Sequence, residues 1–566
     1  MSTREASVVS DESDVGRPLG WLRGYDAKSL RGDVSAGVTL AAFVLPVALA
    51  YSSLAGVPAV AGLYSCIVAG IAFAPFCSSR RIAVATTSAV SLLLGTTLGG
   101  IAGGDPARYA SLAAATALYV ALICIAARVF RAGGVVQFMS DVVLSGFKVG
   151  AALTIATTQL PKLFGLSGGG ASFAGRLVRI FEQLPESSPW SVTIGVTAIV
   201  ALVLGARLFP GVPVSIAVVA VAVLGMSLAD PAALGVRVLG PVPQGLPEFA
   251  FPTLHWSDAN ELLPLALACV LLATVETMAA GRVFAARHGE RSDANQDLFA
   301  LGIANVAAGL FQGYPVSGGM SQSAVAENAG ARTPATLVIA SLVLGVVATF
   351  FSGILRNLPE PVLAAIVLVA IGGLVDFQAL RRIRRFSTED FAVASLAMVG
   401  VLTSGLLRGV LIASVFSLFL VIRRASHPPV AVLGRLPSGG FGEIERHPPT
   451  ELRDTIVVRV SGAIVYFSAE AIRDRIGELV RMRPSRPKRL VVALGNTPVV
   501  DLAGADMLGQ LREEMERSGI RVDLAEAHGP VRDALEAAGV ARGFGDLHSG
   551  RTLEDVVDGA DTPQTS

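Results

Sequence analysis

Uncharged, apolar runs about as long as a membrane is thick recur along this chain from residue 34 to about residue 422, and then stop. A helix needs about 20 consecutive, predominantly apolar residues to cross a bilayer, and stretches such as 212–229 and 337–355 come close to that length. A soluble core rarely needs so many. Composition agrees, with 52% of residues hydrophobic and 16% charged, against about 25% charged in soluble domains. After His427 the text turns charged and finely mixed, as in Glu513-Glu514-Met515-Glu516-Arg517, which suits a water-exposed α/β domain. The expected organisation is a tail over 1–29, a membrane domain over 30–426, and a soluble domain with its own tail over 427–566.

Several function classes are disfavoured at once. A net charge of +1 and short tails give a nucleic-acid partner no electrostatic support. Cys66, Cys77, Cys124 and Cys269 sit in apolar stretches without paired ligand spacing, so they read as small buried hydrophobes, with no metal site and no disulfide framework. The six histidines lie mostly in loops or the soluble domain. No nucleophile–base spacing or phosphate-binding glycine loop points to an enzyme, and no cofactor is implied. The first 30 residues are polar and mildly acidic, without the basic start, short apolar core and cleavage site of a removable signal. The run beginning at 34 is therefore read as a retained helix.

Apolar runs between polar or Gly/Pro breaks predict spans near 34–52, 59–77, 85–99, 108–130, 135–157, 190–207 and 211–229. A second set follows near 258–281, 295–312, 317–329, 334–356, 360–375, 388–404 and 406–422. With the N-terminus in the cytoplasm, one side receives Arg80, Arg81, Arg128, Arg131, Arg207, Arg282, Arg287, Arg291, Arg332, Arg381, Arg382, Arg384, Arg385, Arg423 and Arg424. The other keeps Arg108, Lys162, Arg176, Arg179, Arg237, Arg356 and Arg408. This is the positive-inside pattern, and it puts the soluble domain in the cytoplasm of a multi-pass protein of the inner, cytoplasmic membrane. Seven spans per half is an odd number, so successive halves lie in the membrane with opposite orientation. Transporters built as inverted repeats place substrate near the midplane, where short or broken helices expose backbone groups.

The third span of each half is the shortest or most interrupted. Arg81-Ile82-Ala83-Val84-Ala85-Thr86-Thr87-Ser88-Ala89 and Tyr314-Pro315-Val316-Ser317-Gly318-Gly319-Met320-Ser321-Gln322-Ser323 both combine an extended lead-in with small and hydroxyl residues. If each opens a half-helix, free N–H groups and the positive dipole end meet at the midplane and form an anion site. The alternative is that the small residues only allow tight helix packing. Glu276, inside Leu271-Leu272-Ala273-Thr274-Val275-Glu276-Thr277-Met278, is a functional candidate because an intramembrane carboxylate is costly. Proton uptake there would accompany anion movement; a structural hydrogen bond is the alternative. Lys148 could attract anions, pair with a carboxylate, or extend its charge to the membrane interface. Pro46 interrupts the first helix and can open carbonyls to a cavity, or simply bend the helix.

These residues resemble the SulP (sulfate permease) family of anion transporters and exchangers over nearly the whole chain. The resemblance is carried by Leu30-Arg31-Gly32-Asp33-Val34-Ser35-Ala36-Gly37, Ala55-Gly56-Val57-Pro58 with Ala61-Gly62-Leu63-Tyr64, and Gln159-Leu160-Pro161-Lys162-Leu163-Phe164-Gly165. It continues in Asn295-Gln296-Asp297-Leu298 with Gly302-Ile303-Ala304-Asn305, in the stretch from Pro315 to Ser323, and in Gly330-Ala331-Arg332-Thr333. The resemblance implies a polytopic α-helical fold of fourteen membrane segments as two inverted seven-helix repeats. A core bundle, about 34–131 and 258–357, would move against a gate bundle, about 135–229 and 360–424, in elevator-like alternating access. It further implies a homodimer in membrane lipid, a small inorganic or carboxylate anion as substrate, and a coupling proton or sodium ion. An uncoupled anion channel or exchanger is the alternative.

The resemblance places substrate against Pro46 and Val47, Thr86 to Ser88, and Ser317, Gly318, Gly319, Ser321 and Gln322, with Glu276 as the coupling residue and Lys148 as its possible charge partner. Three departures touch that set. Val47 follows the first-helix proline where many relatives carry glutamine, Gln322 stands where many carry arginine, and Ala85-Thr86 stands where a Gly-Pro pair is often found at the third segment. Past His427, strand-like and helical stretches alternate and resemble a STAS domain through Val465-Tyr466-Phe467-Ser468-Ala469 and Val500-Asp501-Leu502-Ala503-Gly504-Ala505-Asp506. Ala503 stands where related anti-sigma-factor antagonists carry a phosphorylatable serine, which weakens a third reading, a membrane-anchored STAS sensor.

Overall fold

The computed structural model describes residues 18–23, 25–131, 141–170, 172–209, 214–229, 231, 233–240, 243–253, 256–290, 292–372, 376–437, 440–444, 452, 454–544 and 552–558. Most of the expected N-terminal tail, the starts of the spans expected at 135 and 211, the end of that expected at 375, and Arg291 lie outside the described residues. The chain divides into two compact units, 1–415 and 416–566, with the boundary inside the last membrane helix, Leu406–Ser426.

The first half of the membrane unit runs α1 (Ala27–Ala55), α2 (Ala59–Phe73), β1 (Val84–Ala85), α3 (Ser88–Ala102), α4 (Pro106–Val129), α5 (Asp141–Phe164), α6 (Phe173–Gln183), α7 (Pro189–Leu208) and α8 (Val214–Leu228). The second runs α9 (Trp256–His288), α10 (Ala294–Leu310), β2 (Ser317–Gly318), α11 (Met320–Asn328), α12 (Ala335–Val346), α13 (Glu360–Gly372), α14 (Phe377–Phe386), α15 (Thr388–Ser404) and α16 (Leu406–Ser426). Among the described residues, seven helices are long and apolar enough to cross a membrane. The apolar sequence explains the length of α1, and its ends are set by polar chemistry. Asp26 accepts a hydrogen bond from the Ser29 amide at 2.7 Å, and Gly56 closes the helix at a φ of 74°, which suits glycine. α1 begins at Ala27, ahead of the expected 34, because that cap lies in the polar text before the apolar run.

Packing repeats between the halves. α1 packs on α12 as α9 packs on α4, α2 on α12 as α10 on α4, and α5 on α15 as α13 on α7. α2 meets α10, α5 meets α13, and β1 meets β2, so these elements contact their own counterparts. This is the pattern that a two-fold relation between halves produces. Two elements were not expected: α6 and α14, short amphipathic helices at the same point in each half, between the fifth and sixth segments. Their arginines masked them as polar loops.

Two buried carboxylates hold loops to helices in this unit. Asp33 accepts from the Arg332 and Thr333 amides at 2.7 and 3.0 Å, and from the Thr333 and Thr336 hydroxyls at 2.5 and 3.0 Å. Asp297 accepts from the Ser78 and Ser79 amides at 2.8 and 3.2 Å. Each carboxylate thus supplies the acceptors that burial would otherwise deny to backbone donors. Two of the sequence motifs that carry the family resemblance therefore have a structural role.

The soluble unit holds β3 (Val430–Arg435), β4 (Phe441–Glu443), β5 (Thr455–Val460), α17 (Ala469–Arg481), β6 (Arg489–Ala493), α18 (Leu502–Arg517), β7 (Arg521–Ala525), α19 (Gly529–Ala537) and α20 (Leu553–Asp558). Its sheet order is β4-β3-β5-β6-β7, with β5, β6 and β7 parallel and β3 antiparallel to both neighbours. Alternation along β5 sends Ile456, Val458 and Val460 to one apolar layer and Val457 to the other. The strand-like stretch that opens with β5 continues in sequence to Phe467, but the strand stops at Val460. Asp501 caps α18, accepting from the Gly504 amide at 2.8 Å and the Tyr466 amide at 2.9 Å. A Cβ at Gly504 would lie 2.1 Å from the Ile464 carbonyl oxygen, so only glycine permits this approach. Ala503 beside it is exposed.

Candidate functional site

β1 and β2 are two residues each, yet they organise the centre of the membrane unit. They run antiparallel, with Val84 opposite Gly318 and Ala85 opposite Ser317. The Gly319 amide donates to the Ala83 carbonyl at 3.1 Å, and the Ala83 amide donates to Ser323 Oγ at 2.9 Å. Extended backbone buried among helices must find other partners. Asn305 supplies two, accepting from the Val316 amide at 3.0 Å and donating to its carbonyl at 3.2 Å. Ser65 does the same for Tyr314, at 2.8 and 3.1 Å.

The pairing brings the first turns of α3 and α11 together. Their preceding residues, Thr87 and Gly319, are extended, and neither caps its helix with a side-chain hydrogen bond. The leading amides, which carry the positive end of each helix dipole, therefore lack the usual side-chain acceptor. Thr87, Ser88 and residues 319–322 line a cavity of about 420 Å³.

Glu276 enters from the middle of α9 and lines the same cavity. Its Oε2 accepts from Ser317 Oγ at 2.8 Å, and Ser317 Oγ lies 3.0 Å from Thr87 Oγ1. The carboxylate is thus joined to both half-helix lead-ins through two hydroxyls. Next to it, Thr277 Oγ1 accepts from the Gly318 amide at 2.8 Å. Gln322 Nε2 crosses from α11 to the Thr86 carbonyl at 3.2 Å. A Cβ at Gly319 would sit 1.7 Å from Gln322 Oε1, so the glycine lets that amide fold back over the helix start.

Lys148 reaches the cavity from α5. Gly146 and Gly150, one turn apart, let α5 approach α15: a Cβ at Gly146 would lie 2.0 Å from the Ala394 carbonyl oxygen, and one at Gly150 would lie 2.9 Å from that of Met398. Lys148, two residues from each, falls on the reverse face of the helix.

Of the residues singled out in the sequence, Val47, Thr87, Ser88, Lys148, Glu276, Gly319, Ser321 and Gln322 line the cavity. Pro46, Thr86, Ser317 and Gly318 stand behind that lining. Thr86 is buried, its hydroxyl 3.7 Å from Cys66 Sγ. The sequence reading missed Thr39, Phe43 and Tyr51, which with Val47 form an every-fourth-residue stripe along α1, and Asn328 at the end of α11. The stripe was legible as spacing but lay hidden in a helix apolar on nearly every side. The lining extends through Thr39, Ala206, Val214, Asn328 and Ala370 toward the end of the unit that holds the start of α1.

Comparison with known proteins gives this architecture a class. The sulfate permease family model matches residues 30–397, and the STAS domain model matches 447–558. A probable sulfate transporter of Mycobacterium tuberculosis is 33% identical over 539 residues, covering 95% of this chain and 96% of that one. The chloroplastic sulfate transporter 4.1 of Arabidopsis thaliana is 29% identical, over 92% of this chain and 78% of its own. In fold, the chain is similar to the murine solute carrier 26 family member A9 anion transporter in its inward-facing state, with a TM-score of 0.87, 22% identity, and coverage of 99% and 96%. It is also similar to the transmembrane domain of the cyanobacterium bicarbonate transporter BicA, with a TM-score of 0.59, 22% identity, and coverage of 69% and 98%. The chain belongs to the sulfate permease family: it is a multi-pass membrane transporter with fourteen membrane segments and a STAS domain.

Proposed function

We propose that the chain is a secondary active transporter of small anions of the sulfate, bicarbonate or dicarboxylate class, coupled to protons or sodium. The observation that carries this reading is the meeting of two uncapped helix starts, α3 and α11, at one cavity that also holds Glu276. Oxyanions accept hydrogen bonds, and helix N-termini offer aligned donors with partial positive charge. The names of the relatives make sulfate the first substrate to try.

In the proposed mechanism, α1 to α4 and α9 to α12 form a core that carries the helix starts. α5, α7, α8, α13, α15 and α16 form the gate, and the two slide in elevator-like alternating access. The packing of α5 on α15 and α13, and of α10 on α2 and α4, supports that division. The cavity takes lining from both groups, Ser88 and Gly319 on one side and Leu202 and Ile366 on the other. Glu276 is the coupling residue, because its hydrogen-bond chain ends on both lead-ins. The protein is proposed to act as a homodimer in the inner membrane, with its N-terminus and STAS domain in the cytoplasm.

Uptake of labelled sulfate, bicarbonate, fumarate and chloride into proteoliposomes under imposed proton or sodium gradients tests this reading. At least one anion should accumulate with the gradient, and Glu276→Ala should abolish the accumulation. Flux that ignores both gradients would instead indicate a channel or an uncoupled exchanger. Unchanged gradient dependence in Glu276→Ala would remove that residue from coupling.

A further inference from the structure

α6 and α14 occupy equivalent places in the two halves, but their polar faces differ. On a 3.6-residue wheel, α14 presents Phe377, Leu380, Ile383 and Phe386 on one side, with Arg384 between Phe377 and Leu380, and Gln378, Arg381, Arg382 and Arg385 on the other. Phe377 is 66% and Phe386 88% exposed, and all four arginines, Arg384 included, are exposed. No acidic residue occurs between Phe377 and Phe386. The adjacent carboxylate, Asp376, caps the helix by accepting from the Gln378 and Ala379 amides at 2.9 and 2.8 Å. α6 also leaves apolar side chains exposed, Val178 at 56% and Phe181 at 71%, but its charges are mixed: Arg176, Arg179 and Glu182.

Chain connectivity fixes where α14 lies. It sits between the membrane segments α13 and α15, and a single residue, Ser387, separates it from α15. It packs against α15 and α5, and Arg384 stacks over the Phe391 ring of α15 at 5.7 Å. The count of crossings places it at the end of the membrane unit where α1 begins. A short helix held there, with aromatic rings exposed at both ends and a polar face whose charges are all positive, has the form of an interfacial helix. Its charge complements lipid phosphate.

We propose that α14 is a docking surface for anionic phospholipid headgroups in the leaflet nearest the start of α1. The apolar face lies at the boundary of the acyl chains, and Arg381, Arg382 and Arg385 meet the headgroups. α6, with mixed charge, is an interfacial helix without preference for lipid charge, and so serves as an internal control. The inference rests on the membrane fold alone and is independent of the transported substrate.

The test uses the full chain in nanodiscs containing equal parts phosphatidylcholine and phosphatidylglycerol. A trace of one or the other lipid carries a photoreactive headgroup, and labelled peptides are mapped by mass spectrometry. An arginine at an anionic surface contributes roughly fivefold in binding. Labelling of 377–386 by the phosphatidylglycerol probe should therefore exceed that by the phosphatidylcholine probe at least about fivefold, while 173–183 takes both alike. The combined variant Arg381→Gln, Arg382→Gln and Arg385→Gln should reduce the preference to about unity. The matching lysine variant, which keeps charge and checks folding, should retain most of it. Equal labelling of α14 by both probes would overturn the proposal, as would a preference that survives in the glutamine variant. Loss of labelling on adding inorganic phosphate would overturn it too, by assigning the site to a soluble anion.

Discussion

A single carboxylate placed at the helix starts tests whether they form the anion site. Ser88 is the first residue of α3 and lines the cavity. Ser88→Asp sets a unit negative charge where a substrate anion would bind. With the anion about 4 Å away and an effective dielectric near 20, repulsion is about 4 kcal/mol, or roughly a thousandfold in affinity. At about 8 Å it is about 2 kcal/mol, still roughly thirtyfold. The fold should tolerate the change, because a carboxylate in the first turn favours the helix by about 0.3 to 1 kcal/mol. Ser88→Asn matches the added side chain in size and shape without charge, so it should stay within about tenfold of the parent. The assay is the concentration dependence of labelled anion uptake into proteoliposomes, normalised to folded protein. Aspartate and asparagine variants with equal uptake would refute an anion site at these helix starts.

Two further expectations concern the scaffold. Asp33→Ala removes the acceptor of four hydrogen bonds, leaving buried donors unpaired at a cost of about 3 to 5 kcal/mol. The thermal midpoint of the purified chain should fall by roughly 3 to 6 °C; a fall of less than about 1 °C would mean that the carboxylate does not hold α1 to α12. Gly146→Ala would drive a methyl group against the backbone of Ala394, so the α5–α15 contact should open at a cost of about 1 to 3 kcal/mol. Gly225→Ala, whose added carbon meets nothing within 4 Å, should leave the midpoint unchanged or raise it; similar losses in both variants would refute the packing argument.

Membrane segments were legible because lipid imposes one rule, apolar length, that reads directly from text. Both half-helix lead-ins were legible for a related reason: Thr86 to Ser88 and Ser317 to Gly319 interrupt that rule where interruption is costly. α6 and α14 escaped because a short amphipathic helix alternates apolar and charged residues over fewer than a dozen positions, like a loop. β3 and β4 were also missed. β4 is only three residues, and both strands close the sheet on its antiparallel edge, where the rhythm of strand and helix that revealed the rest of the domain does not reach. Tyr51, Phe43 and Thr39 were missed because spacing alone cannot say which stripe of a uniformly apolar helix faces a cavity.

Two of the departures from the family pattern, at 47 and 322, bear on how the proposed site would hold charge. Val47 and Gln322 both line the cavity, and neither is cationic. Gln322 instead spans from α11 to the Thr86 carbonyl before α3, so it braces the two helix starts against each other. Among the described residues, Lys148 is then the one cation in the lining, and it comes from α5. In the proposed division, backbone dipoles belong to the moving core and the fixed charge to the gate. Sliding would change the distance between them, so an anion held by both would be held most strongly when core and gate are aligned around the cavity. On this reading an arginine at 322 would travel with the core and keep the attraction constant, whereas Lys148 makes it depend on position.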